Sequence, residues 1–249
     1  MSQDHVRDAR RGFLRKSIAI VPAVALGSTA CTQQAATGTG TGIAPVSGNA
    51  STAASPPQPY KPAFFNAFEW AFVSAAVARL IPSDAEGPGA IEAGVPEFID
   101  RQMDQVFGHA AIWYMQGPFV ETTPEFGYQA KLPPRDVYRA GIAATDDHCK
   151  KTFNGKTFAQ LDASQQDTLL KALESGALKF DVLSSKTFFG FLLQNTKEGY
   201  LSDPMHGGNK DAAAWKMIGF PGARADFTDW IGKPVQYPLP PVTINGPQG

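Results

Sequence analysis

Phe64-Phe65-Asn66-Ala67-Phe68-Glu69-Trp70-Ala71-Phe72-Val73-Ser74-Ala75-Ala76-Val77-Ala78-Arg79-Leu80-Ile81-Pro82 decides the fold class of this 249-residue chain. Its large apolar residues, Phe64, Phe65, Phe68, Phe72, Val73, Val77, Leu80 and Ile81, fall at three- and four-residue spacing and stop before a proline. That pattern predicts a buried helix. After the loop Ser83 to Gly89, Val95-Pro96-Glu97 places proline at a first helical position, and Phe98, Ile99, Met103 and Val106 carry a second helix to about Phe107. A third is expected from Arg135 to about Phe153, with Tyr138, Ile142, Thr145, Cys149 and Phe153 on one face and Asn154-Gly155 as its stop. Asp162 and Gln165 form a capping pair for a fourth, with Leu169, Leu170 and Leu173, closed by Gly176. A fifth begins near Ser184-Ser185 and carries Phe188, Phe189, Phe191, Leu192 and Leu193.

Between these helices the chain is irregular. Trp113 to Pro134 mixes Gly, Pro and aromatics without a period and reads as a long ordered loop with at most one helical turn. Beyond Tyr200 a loop holds one short helix around Ala212 to Met217, and the proline-dense last twenty residues are extended. With no run of alternating strands, the class is all-α: about five main helices and long ordered loops.

Upstream, Thr32 to about Pro62 is Thr, Gly, Ala, Ser, Gln and Pro, which cannot offset the entropy of ordering, so residues 31–62 read as a disordered linker. Residues 1–30 have the three parts of an export signal: Arg10-Arg11-Gly12-Phe13-Leu14-Arg15-Lys16, a short apolar run from Ile18 to Leu26, and a small-residue exit at Ser28 and Ala30. Arg10, Arg11, Phe13 and Leu14 resemble the twin-arginine signal, whose pathway exports proteins already folded. The apolar run is too short to span a bilayer. Cys31 at the exit leaves two processing routes open, ordinary cleavage before it or lipidation on it. The domain proper is expected at residues 63–249.

Residues 1–30 hold five of the 22 basic and two of the 23 acidic side chains, so the remainder carries 17 against 21 and offers no electrostatic case for nucleic acid. Cys31 and Cys149 make no disulfide framework. The chain has no haem-attachment motif, no cysteine set for an iron–sulfur cluster, no strand-linked glycine fingerprint and no Walker loop. Asp146-Asp147-His148-Cys149 concentrates titratable groups, yet on a helix only Asp146 and Cys149 share a face. Asp203 to Asp211 offers carboxylates, an imidazole and an amide. Those suit a hard or borderline metal, and equally a tight turn in which Asn209 or Asp211 caps the next helix. Glu86, Glu92 and Glu97 show neither desolvation nor a charge partner in the sequence. No catalytic, cofactor-binding or metal-binding residue is assigned.

Three stretches nevertheless carry a likeness: Leu80 to Asp84 with Glu86 to Ala90 and Ala93 to Pro96; Gly199-Tyr200 through Asp203-Pro204 to Gly207-Gly208-Asn209; and Trp215 to Gly222. In order and spacing they resemble gluconate 2-dehydrogenase subunit 3, the small subunit of membrane-bound flavin-dependent sugar and sugar-acid dehydrogenases. The resemblance implies a chain without a cofactor of its own, partnered by an FAD-bearing large subunit and a cytochrome c subunit with haem c. It also implies that this chain's signal takes the large subunit through the twin-arginine translocase to the periplasmic face of the inner membrane. On that reading the aromatic loops pack on the large subunit, with Trp113, Tyr114, Phe126, Tyr128, His206, Asn209, Trp215 and Phe220 as candidates. The alternative is a stand-alone periplasmic lipoprotein that binds a small ligand or metal through Asp203 to Asp211.

Overall fold

The computed structural model describes residues 59–120 and 123–246. The signal residues Arg10, Arg11, Phe13 and Leu14, the linker up to residue 58, and Cys31 lie outside the described residues. Six α-helices are found among the described residues: α1 (Ala67–Leu80), α2 (Val95–Asp104), α3 (Pro134–Thr152), α4 (Ala163–Ser175), α5 (Ser185–Leu201) and the short α6 (Ala213–Ile218). No strand is formed there; two isolated bridges, Gly222 with Val242 and Thr243 with Gly246, tie the C-terminal segment. The fold is all-α, as the periodicity implies.

Local chemistry sets the helix ends. Asn66 accepts the backbone N–H groups of Phe68 and Glu69 while Glu69 accepts that of Asn66, a reciprocal cap that starts α1. Asp162 and Gln165 do the same for α4, and Gly176 ends it at φ 75°. α5 packs against α1, α2, α3 and α4. Around it Phe72, Val77, Ile99, Tyr138, Leu173, Phe188 and Leu192 lose essentially all contact with solvent. Each such side chain stabilises the fold by roughly 1.5–3 kcal/mol of transfer free energy. The α3–α5 contact depends on Gly141, where a Cβ would stand 2.2 Å from the Phe188 ring.

Two expectations need correcting. Phe64 and Phe65 precede α1 and belong to a bent, non-helical strap, and Phe68, on the largely exposed first turn, is 77% exposed instead of buried. The strap is held by Asp100 of α2: its carboxylate accepts the N–H groups of Ala63, Phe64 and Phe65 and the Tyr60 hydroxyl, at 2.7–3.1 Å. Second, α2 stops at Asp104, not near Phe107. Gly108 folds back so that its N–H reaches the Gln102 carbonyl, and a Cβ on it would lie 2.1 Å from the Met103 carbonyl oxygen. Only glycine fits that approach.

Candidate functional site

The three stretches that carry the family likeness are far apart in sequence and meet in one loop junction. Tyr200, near the end of α5, donates its hydroxyl to the Pro88 carbonyl. Lys210 donates its backbone N–H to the Ala93 carbonyl, and Trp215 its indole N–H to the Leu201 carbonyl. Glycines permit the close approaches: a Cβ on Gly94 would stand 2.7 Å from the Gly207 carbonyl oxygen, and one on Gly208 would stand 2.1 Å from that of Gly199.

Polar groups in this junction face one another. Asn209 is fully buried at φ 45°; its amide donates to the Ser202 carbonyl and its side-chain oxygen accepts the Ala214 N–H at the start of α6. That is the capping role open to it from the sequence. Asp203 accepts the N–H groups of Met205 and Ile244, which pins the C-terminal segment. Glu97 does have charge partners, contrary to expectation: it is buried, pairs with Arg101 one turn on, and receives Lys210 Nζ at 2.8 Å. Glu86 and Glu92 are exposed. His206 is exposed at the rim of an open cleft of about 650 Å³ between α2 and α5, floored by Phe98. Among the described residues no group of three or more His, Cys, Asp or Glu side chains is placed to hold a metal ion.

Of the 146–149 cluster, Asp146 and Cys149 are buried in the packing, while Asp147 is exposed and His148 half-buried. Asp146 accepts the Phe158 N–H, and burial raises its pKa from the ordinary carboxylate value. Burial, reinforced by Asp146, pushes the Cys149 thiol up to about 12, so it is protonated and poorly nucleophilic at neutral pH.

A different surface is built by the chain from Val106 to Tyr114. Trp113 is half-buried, edge-on to Phe107 and stacked on Phe191 with ring centroids 6.3 Å apart; Tyr128 packs against both Trp113 and Phe191. On that base Val106, Ile112 and Tyr114 stand 61%, 77% and 82% exposed. Further along, Phe126 is also exposed, as is Phe220 within the junction, whereas Trp215 is buried. Arg135, which the sequence did not single out, meets this segment at Gly108 and His109, and Arg139 lies one helical turn further along α3. Arg135 and Arg139 sit 4.8 and 4.4 Å from the Phe64 ring centroid, and Arg135 also meets the His109 imidazole.

Helical body, wired loop junction and outward-facing aromatic loop together define a single all-α module. The family model for gluconate 2-dehydrogenase subunit 3 matches residues 67–222, from the first residue of α1 to the glycine that closes the junction, and the chain belongs to that family. No curated protein and no solved structure matches it. No helix among the described residues is long and apolar enough to cross a membrane.

Proposed function

We propose that this chain is the non-catalytic small subunit of a membrane-bound, FAD-dependent dehydrogenase of the gluconate 2-dehydrogenase type. It carries the twin-arginine signal for the flavin-bearing large subunit and stabilises that subunit once exported. FAD belongs to the large subunit and haem c to a cytochrome subunit that passes electrons onward. The observation that carries this reading is the family match over residues 67–222, which takes in all six helices and the whole loop junction. The exposed aromatic and aliphatic side chains between Val106 and Phe126 support it, since interface cores favour such residues. Residues 1–30 serve as the signal, 31–62 as slack between signal and docked domain, and a lipid on Cys31 is a second hold on the periplasmic face of the membrane.

Affinity capture of the tagged full chain from native membranes tests this, read by mass spectrometry and an absorption spectrum. A flavoprotein at equal stoichiometry is expected, with dye-linked oxidation of a sugar acid by the complex and none by the isolated chain. A lone colourless protein would instead favour the ligand-binding lipoprotein. The Arg10→Lys, Arg11→Lys double variant should leave both chains in the cytoplasm; a dehydrogenase that still reached the periplasm would remove the export role.

A further inference from the structure

Arg135 is the cation of this surface without a carboxylate: among the described residues its guanidinium meets His109 and the Phe64 ring, and no Asp or Glu lies within ion-pair distance. Arg139 has one distant partner, Glu69 at 3.7 Å, and that carboxylate also accepts the Asn66 N–H. Two guanidinium groups therefore gather over one phenyl ring, one of them also meeting an imidazole, with the shared Glu69 carboxylate as the counter-charge within ion-pair distance among the described residues. Arg135 is tied by its backbone to the turn that carries the exposed Val106, Ile112 and Tyr114, donating its N–H to the Gly108 carbonyl beside His109.

Stacking on Phe64 restricts both guanidinium groups in advance, which lowers the entropy lost on binding. Planar, bidentate donors beside exposed Ile and Tyr match a carboxylate flanked by apolar side chains. We infer that the face formed by Val106, His109, Ile112, Tyr114, Arg135 and Arg139 receives an acidic, apolar-flanked surface of the large dehydrogenase subunit, an inference that rests on the function proposed above. Location supports the assignment. This face lies within the family-matched residues, as do the less exposed Met217, Ile218 and Phe220, whereas the exposed Ile231, Val235 and Leu239 lie outside them. Charge complementarity selects an acidic partner over a second copy of this chain, whose own face would bring cation against cation.

The test co-expresses the tagged full chain with the large subunit and measures captured flavoprotein by flavin absorbance. The Arg135→Glu, Arg139→Glu double variant and Ile112→Asp should each capture at least about tenfold less than wild type, while Ile231→Asp captures as much. Thermal unfolding of each isolated variant checks the fold, and Arg135→Gln, which keeps the shape of a polar side chain, should weaken capture less than charge reversal. A wild-type chain that captures flavoprotein and a double variant that captures it equally would overturn this face and leave the subunit assignment standing. A wild-type chain that captures none would overturn both.

Discussion

Two loops with similar composition do opposite things on this molecule. The chain from Asp203 to Gly222 contains His, Trp and Phe, and so does what lies between Val106 and Phe126. In the first, Asn209 and Trp215 are buried and each hydrogen-bonds to the end of α5 or the start of α6. In the second, Trp113 serves as a base and Val106, Ile112 and Tyr114 face solvent. Aromatic content therefore does not mark a docking loop. What separates the two is whether polar anchors turn the side chains inward, because a buried amide or indole N–H must find a partner and fixes its loop by finding one.

The sharpest way to break this contrast is Asn209→Ala. It strands the Ala214 N–H and the Ser202 carbonyl and puts alanine at positive φ, so unfolding stability should fall by about 2–4 kcal/mol in a urea titration. A loss below about 0.5 kcal/mol would mean the junction is not the anchor described. Trp215→Phe keeps most of the packing but orphans the Leu201 carbonyl, for an expected loss of about 1–2 kcal/mol in the same titration. Ile112→Ser and Tyr114→Ser, on the outward loop, should change stability by no more than about 0.5 kcal/mol; a larger loss would show that these side chains serve the fold.

The smallest effect concerns what kind of anchor works, and it appears only against pH. Burial raises the Asp146 pKa, so the folded chain holds that proton more tightly than the unfolded chain does. Its favourable contribution is present in acid and is lost as pH rises through the folded pKa. Asp146→Asn keeps an oxygen for the Phe158 N–H and removes the charge. As pH rises above the ordinary aspartate value of about 4, urea midpoints of the wild type should fall relative to those of the variant. Equal slopes would show that the burial carries no electrostatic cost.

The helices were legible because period and punctuation agreed: α4 runs between its Asp162 cap and its Gly176 stop, and Tyr138, Ile142, Thr145 and Cys149 are all buried on α3. Phe68 misled because periodicity reports a face without reporting whether another helix covers its first turn. Asp100 and the pairing of Glu97 with Lys210 were invisible for a related reason. An acidic residue inside an amphipathic helix looks like a solvated one until the partner, 35 to 40 residues upstream for Asp100 and more than 100 downstream for Glu97, folds back on it. The three family-like stretches were found in sequence, but their meeting in one junction depends on long-range contacts that no local pattern encodes. Arg135 and His109 were missed because an arginine and a histidine spaced across a loop carry no motif.

The Asp100 carboxylate also gives the molecule a mechanical character. Tension transmitted down the chain that precedes Tyr60 enters the domain at one side chain that grips four donors at once, not at the first turn of α1. Contacts gathered on a single carboxylate share such a load and yield together, so the strap behaves as a strain relief. A chain drawn along by its N-terminus would take the pull on α2, behind which the packed helices stand, and α1 would be spared from unravelling turn by turn.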